Sequence, residues 1–151
     1  MQDRFKFRYV FTKDFGGKTG ICYKMPIFNL DTITDENFNK IVKSYIDYDY
    51  KLISIEQCTG LKDKNGKLIY EGDILDLYVS SKKLYRYQVK YEIGSFMLVS
   101  QDEIFDFKNV WNDNVYPLSQ LYFEYQNEEN CIDQCEVVGN IYENPELLEE
   151  N

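Results

Sequence analysis

Between Leu84 and Ile93 the chain alternates without a break: Tyr85, Tyr87, Val89, Tyr91 and Ile93 fall on one side of an extended strand, and Arg86, Gln88, Lys90 and Glu92 on the other. A strand with one buried face follows. Phe5 to Phe11 alternates in the same way through Arg8, and Ile21 to Phe28 reads as a second strand interrupted by Pro26, which cannot donate a ladder hydrogen bond. The flexible turn Asp14 to Gly20 between them makes this an N-terminal hairpin. From Thr34 the period changes, and Phe38, Ile41, Val42, Tyr45 and Ile46 form one apolar stripe at helical spacing. Thr34 is the expected N-cap, with Asp35 and Glu36 in the first turn where the helix dipole favours carboxylates.

Further along, Leu52, Ile53 and Ile55 supply the apolar positions of a strand over Tyr50 to Gln57. Asn65-Gly66 then occupies the two positions that a type I′ hairpin holds at positive φ, between Leu61 and the Leu68-Ile69-Tyr70 run. Glu71-Gly72-Asp73 is a second tight turn, and Ile74 to Val79 leaves it as a strand. Gly94-Ser95 turns the alternating segment into Phe96 to Ser100. The stretch Gln101 to Asn114, with Phe105, Phe107 and Trp111 embedded, reads as a loop pinned by its aromatics. Leu118 to Tyr125 and Cys135 to Tyr142 read as the last strands, and Asn144 to Asn151 as a helical turn or frayed end.

Short strands, tight turns and one isolated helix predict a mainly β, α+β protein, with a small antiparallel barrel from residue 58 onward. The stretch Gln57-Cys-Thr-Gly-Leu-Lys-Asp-Lys-Asn-Gly-Lys-Leu-Ile-Tyr-Glu-Gly-Asp73, echoed by Val137-Val-Gly-Asn-Ile-Tyr-Glu-Asn-Pro-Glu-Leu148, resembles the YopX family of phage and prophage proteins. The early Phe7-Arg8-Tyr9 looks like that family's opening motif. The resemblance implies a phage or prophage origin and an SH3-like barrel in the C-terminal part, and it implies no particular activity. Its signature residues, Gly60, Asn65, Gly66, Tyr70, Gly72, Asp73, Gly139, Asn140 and Tyr142, are of the kinds that build turns, so a structural role is expected of them. The expected organisation is a hairpin and helix over residues 1–56 and a YopX-like barrel over residues 57–151.

Composition supports the β reading, since 14 Tyr and 10 Phe dominate the aromatics of the 151 residues. No apolar run follows a basic N-terminal stretch and no segment reaches the length of a membrane span, so a cytosolic protein without a membrane association is expected. Cys22, Cys58, Cys131 and Cys135 are then reduced thiols. Cys131 and Cys135 alone, with no His in the chain, do not assemble a tetrahedral zinc site. Neither a metal nor a cofactor is expected.

The net charge of -9 is unevenly spread: residues 1–61 hold nine bases and eight acids, residues 62–100 seven and five, and residues 101–151 one and thirteen. An acidic C-terminal third repels a phosphate backbone, which disfavours nucleic acid as a partner. It also offers a surface for a basic partner, including the basic middle of another copy.

Candidate chemistry is thin. Glu71, Asp73 and Asp76 could hold a divalent cation through hard oxygens, yet carboxylates beside Gly also accept hydrogen bonds from turn N–H groups. Absence of His removes the commonest general base. Gly16-Gly17-Lys18-Thr19 ends like a phosphate-binding loop, but Thr12 stands where its first Gly belongs. Tyr85, Tyr87 and Tyr91 beside Lys82, Lys83, Arg86 and Lys90 could stack and neutralise a single strand; if the tyrosines are core, the bases point to water on the other side. The leading expectation is therefore a non-enzymatic module acting through a protein partner or its own copies, and the alternative is a single-strand-binding barrel contacting nucleic acid through Lys82, Lys83, Tyr85, Arg86 and Lys90.

Overall fold

The computed structural model describes residues 5–33, 36–79, 82–100, 115–127 and 129–149. The chain divides into two compact units, Met1–Cys58 and Thr59–Asn151. In the first, β1 (Lys6–Asp14) is central. On one side it pairs antiparallel with β2 (Ile21–Lys24) and β3 (Ile27–Asn29), which flank Pro26. On the other it pairs with the first half of β4 (Lys51–Lys62), from Lys51 to Gln57. Helix α1 (Glu36–Asp47) carries the stripe read from the sequence. Phe38, Val42 and Tyr45 pack onto Tyr9, Phe11 and Phe28, with Phe11 and Tyr45 stacked at 4.6 Å between ring centroids. The stripe is wider than the ground it covers, because Ile41 and Ile46 stay exposed. The expected cap Thr34 and its neighbour Asp35 lie outside the described residues, as does the aromatic loop Gln101 to Asn114.

Strand β4 continues into the second unit, where β5 (Leu68–Tyr70) pairs with it. A second sheet has the order β10-β6-β7-β8-β9, built from β6 (Asp73–Val79), β7 (Lys82–Glu92), β8 (Ser95–Val99), β9 (Val115–Pro117) and β10 (Cys135–Asn140). One face of this sheet holds Leu75, Leu77, Tyr87, Val89 and Leu98 in a core with Ile69, Ile132 and Cys135. Leu118 and Leu121 complete it from α2 (Leu118–Tyr125). The sequence pattern predicts a strand for this segment, and the one-helix expectation is corrected to two α-helices among the described residues. Its apolar positions Leu118, Leu121, Tyr122 and Tyr125 repeat at i, i+3, i+4 and i+7, so one helical face can be buried where an alternating strand would expose half of them. The last described element is a 3-10 turn, Pro145–Leu148.

The Asn65-Gly66 hairpin forms with a different turn. Gly66 has φ 79°, but Asn65 is not in the left-handed region, so the turn is not type I′. Gly66 N–H donates to Asp63 O at 3.0 Å and Asp63 N–H to Lys67 O at 2.9 Å, which describes a type I turn followed by a left-handed Gly. The side chain of Asp63 selects it: Oδ1 accepts the N–H groups of Asn65 and Lys67, both at 2.9 Å.

The alternating segment is buried only in its middle. Tyr87 and Val89 are core, whereas Tyr85 and Tyr91 at either end are 42% and 50% exposed. The expectation that all the tyrosines pack inward is corrected: the strand is longer than the core beneath it.

Candidate functional site

The signature residues meet at the turns of the second unit. Asp63, 1% exposed, accepts a third backbone N–H at Oδ2, from Val137 of β10 at 2.9 Å, tying the β4–β5 hairpin to the edge of the other sheet. Asp73 Oδ2 accepts the N–H of Tyr70 at 2.8 Å, and Gly72, at φ 82°, gives its N–H to Val89 O and takes that of Ile141. Asn140 Oδ1 accepts the N–H groups of Tyr142 and Glu143, and its own N–H goes to Asn144 Oδ1. Gly139 is needed there, since a Cβ would stand 2.5 Å from Asn144 Oδ1. Each of these groups closes a turn or joins two strands, the work of fold assembly.

The three carboxylates weighed for a cation are not gathered. Asp73 is turned to its own hairpin, and Asp76 is buried against Arg86, whose Nε and Nη2 donate to its two oxygens at 2.7 and 3.0 Å. Among the described residues no group of three His, Cys, Asp or Glu side chains could hold a metal ion. Arg86 Nη1 also donates to Leu147 O at 2.9 Å, fastening the C-terminal 3-10 turn to β7. Of the bases considered for nucleic acid, Arg86 is therefore spoken for, Lys82 is exposed and Lys90 half-buried, while the side chain of Lys83 lies outside the described residues.

At the hairpin tip Lys64 Nζ sits 2.9 Å from Glu136 Oε2 and 4.4 Å from the centroid of Tyr78. The ammonium hydrogen bond holds the Glu136 carboxyl below its ordinary range, and Glu136 raises Lys64 in return. Burial, with neighbouring Asp63, Asp73 and Asp76, pushes the Cys135 thiol far up, and its side chain is closed to solvent. Cys58, Cys131 and Cys135 are buried and Cys22 is half-buried, each outside any disulfide.

What remains is a surface. Among the described residues, eleven of the fifteen exposed large hydrophobic side chains belong to the first unit, Met1–Cys58. Ile21, Ile27 and Leu30 lie along its β2 and β3 side, and Leu52, Ile53 and Ile55 along β4. Along the sequence these three stand as ordinary apolar strand positions; the one signal of their exposure is the run Leu52-Ile53, which breaks strict alternation and announces a bulge.

Two antiparallel β units, turn-building signature residues and exposed apolar side chains that among the described residues fall mostly in one unit define a mainly β protein with no assembled catalytic set among those residues. The chain belongs to the YopX family, whose model, described as YopX protein, matches residues 25–149. The match begins ahead of α1 and so includes the N-terminal helix, which the signature residues alone do not reach. A solved structure, that of protein EF1440 from Enterococcus faecalis, is 26% identical, with 91% of this chain and 74% of that one covered and a TM-score of 0.39. The curated proteins contain no match.

Proposed function

We propose that this is a non-enzymatic interaction module of phage or prophage origin working in the bacterial cytosol, its second unit an SH3-like barrel and its first unit the contact surface. The observation that carries the reading is the concentration of exposed apolar side chains, among the described residues, in the first unit, although that unit has its own packed aromatic core. Water-facing aliphatics in such density mark contact surfaces in soluble proteins. Charge agrees with this division: residues 1–58 hold nine bases and eight acids, and residues 59–151 eight bases and eighteen acids. The first unit can approach a protein without strong repulsion, and the second keeps the molecule soluble.

The nucleic-acid alternative through Lys82, Lys83, Tyr85, Arg86 and Lys90 has less support, because Arg86 is committed to Asp76 and Leu147. The test is immobilisation of the full chain, exposure to bacterial lysate and comparison with a variant carrying Ile27→Lys and Ile55→Lys. Polypeptides retained by the first and lost from the second are expected. Equal retention by both, together with fluorescence anisotropy showing tight binding of a single-stranded oligonucleotide, would overturn the reading in favour of the alternative.

A further inference from the structure

Strand β4 has an open side. Over Lys51–Gln57 it pairs with β1, and the hairpin closed at Asp63 and Lys67 sets the three residues of β5 beside residues 60–62, well past this stretch. Among the described strands none lies against the outer edge of Lys51–Gln57. Tyr9 gives its N–H to Pro26 O at 2.9 Å, away from β4. Its β4 partner Ile55 therefore belongs to a non-hydrogen-bonded pair and turns its own N–H and C=O outward, to the open edge.

A bulge then decides which side chains line that edge. Between Val10 and Phe11 the pairing jumps from Ser54 to Leu52, so Leu52 and Ile53 together oppose Phe11 and lean to its side of the sheet. Ile55, opposite Tyr9, shares that side, which is the one α1 covers. The helix runs in the direction of β1, Phe38 against Tyr9 and Tyr45 against Phe11, and one residue beyond Tyr45 its right-handed turn brings Ile46 round toward β4. Ile46, Leu52, Ile53 and Ile55 are each 42% to 56% exposed.

We infer that this edge pairs with the same edge of a second copy of the chain, β4 antiparallel to β4 about a two-fold axis near Ser54. The inference rests on the reading of the first unit as a contact surface and names its occupant. A two-fold axis perpendicular to the sheet keeps both helices on one face, so the four aliphatics of each copy meet their own counterparts between the two helices. A strand edge is self-complementary in its hydrogen bonds, and nine bases against eight acids in residues 1–58 leave little charge to oppose the approach. The four side chains expose roughly 350 Å² per copy, under the ~800 Å² per partner of a standard interface, which makes the dimer a weak one.

Sedimentation velocity of the full chain at concentrations up to about 200 µM should show a monomer–dimer equilibrium that survives high salt, as an apolar contact does and a charge-driven one does not. Two separate substitutions test the edge. Ile55→Lys places a charge on it and Ile55→Pro removes the outward N–H without touching the ladder to β1; each should weaken the dimer at least about ten-fold, whereas Ile27→Lys, on β3, should leave it unchanged. If either variant loses its far-UV circular dichroism, hydrogen exchange on the unmodified chain decides, since the Ile55 amide should become more protected as concentration rises. A strict monomer throughout, or a dimer indifferent to the Ile55 substitutions or lost in high salt, overturns the inference. Lysate capture that persists alongside a strict monomer leaves the contact-surface reading standing, and loss of both removes the two together.

Discussion

Replacing Arg86 by Leu tests the account of the second unit most directly. The guanidinium holds both oxygens of Asp76, at 2.7 and 3.0 Å, and its side chain and that of Asp76 are only 9% and 4% exposed. Removing it strands a buried carboxylate without its cation, a change that costs about 3–5 kcal/mol where it has been measured. The bond to Leu147 O goes as well. With a urea slope of about 2 kcal/mol per molar for a domain of this size, the midpoint should fall by roughly 2 M, followed by tyrosine near-UV circular dichroism. Amides of the C-terminal 3-10 turn, Leu147 and Glu149, should exchange faster than before. The double change Asp76→Leu with Arg86→Leu should regain much of the loss, because no charge is then left buried. A loss below about 1 kcal/mol for Arg86→Leu, or a double variant no better than the single one, would refute the argument.

Other outcomes follow from the turns. Asp63→Ala deprives three backbone N–H groups of their acceptor and should lower stability by about 2–4 kcal/mol in urea denaturation, while Asp63→Asn, which keeps one acceptor oxygen, should lose less. Gly139→Ala drives a Cβ into Asn144 and should lower the melting temperature by several degrees, a shift calorimetry resolves. The depressed carboxyl of Glu136 contributes stability that is present above its unfolded value near 4.5 and is lost as pH falls through the lower folded value. In melting curves taken across acid pH, Lys64→Met should flatten that decline, and added salt should shrink the difference, because solvent reaches both partners of the pair.

Much of the local architecture was legible along the chain. The helix over Phe38 to Ile46, the strands on either side of Pro26 and the turn at Glu71-Gly72-Asp73 follow from periodicity and from residue types with few conformational choices. The family was legible as well, since its signature residues are local to turns that the family model also spans. Reading failed where two structures satisfy one pattern. Leu118 to Tyr125 is aromatic enough for a strand, yet its burial follows a helical face, and the hairpin at Asn65-Gly66 took a type I turn because the Asp63 carboxylate, two residues earlier, supplied acceptors that the dipeptide alone does not reveal.

By itself the sequence determined which segments extend, which coil and where the chain turns, because those choices are settled by interactions within a few residues. Only the tertiary structure decided which side chains are spent and which are left over. Arg86 finds Asp76 across a strand pair and Leu147 sixty-one positions away, and so leaves the set of available cations. Leu52, Ile53 and Ile55 look like core in one dimension, but β4 is an edge in the first unit and its bulge turns two of them to one side. Partner strand, register and edge are long-range pairings, and no local pattern encodes them.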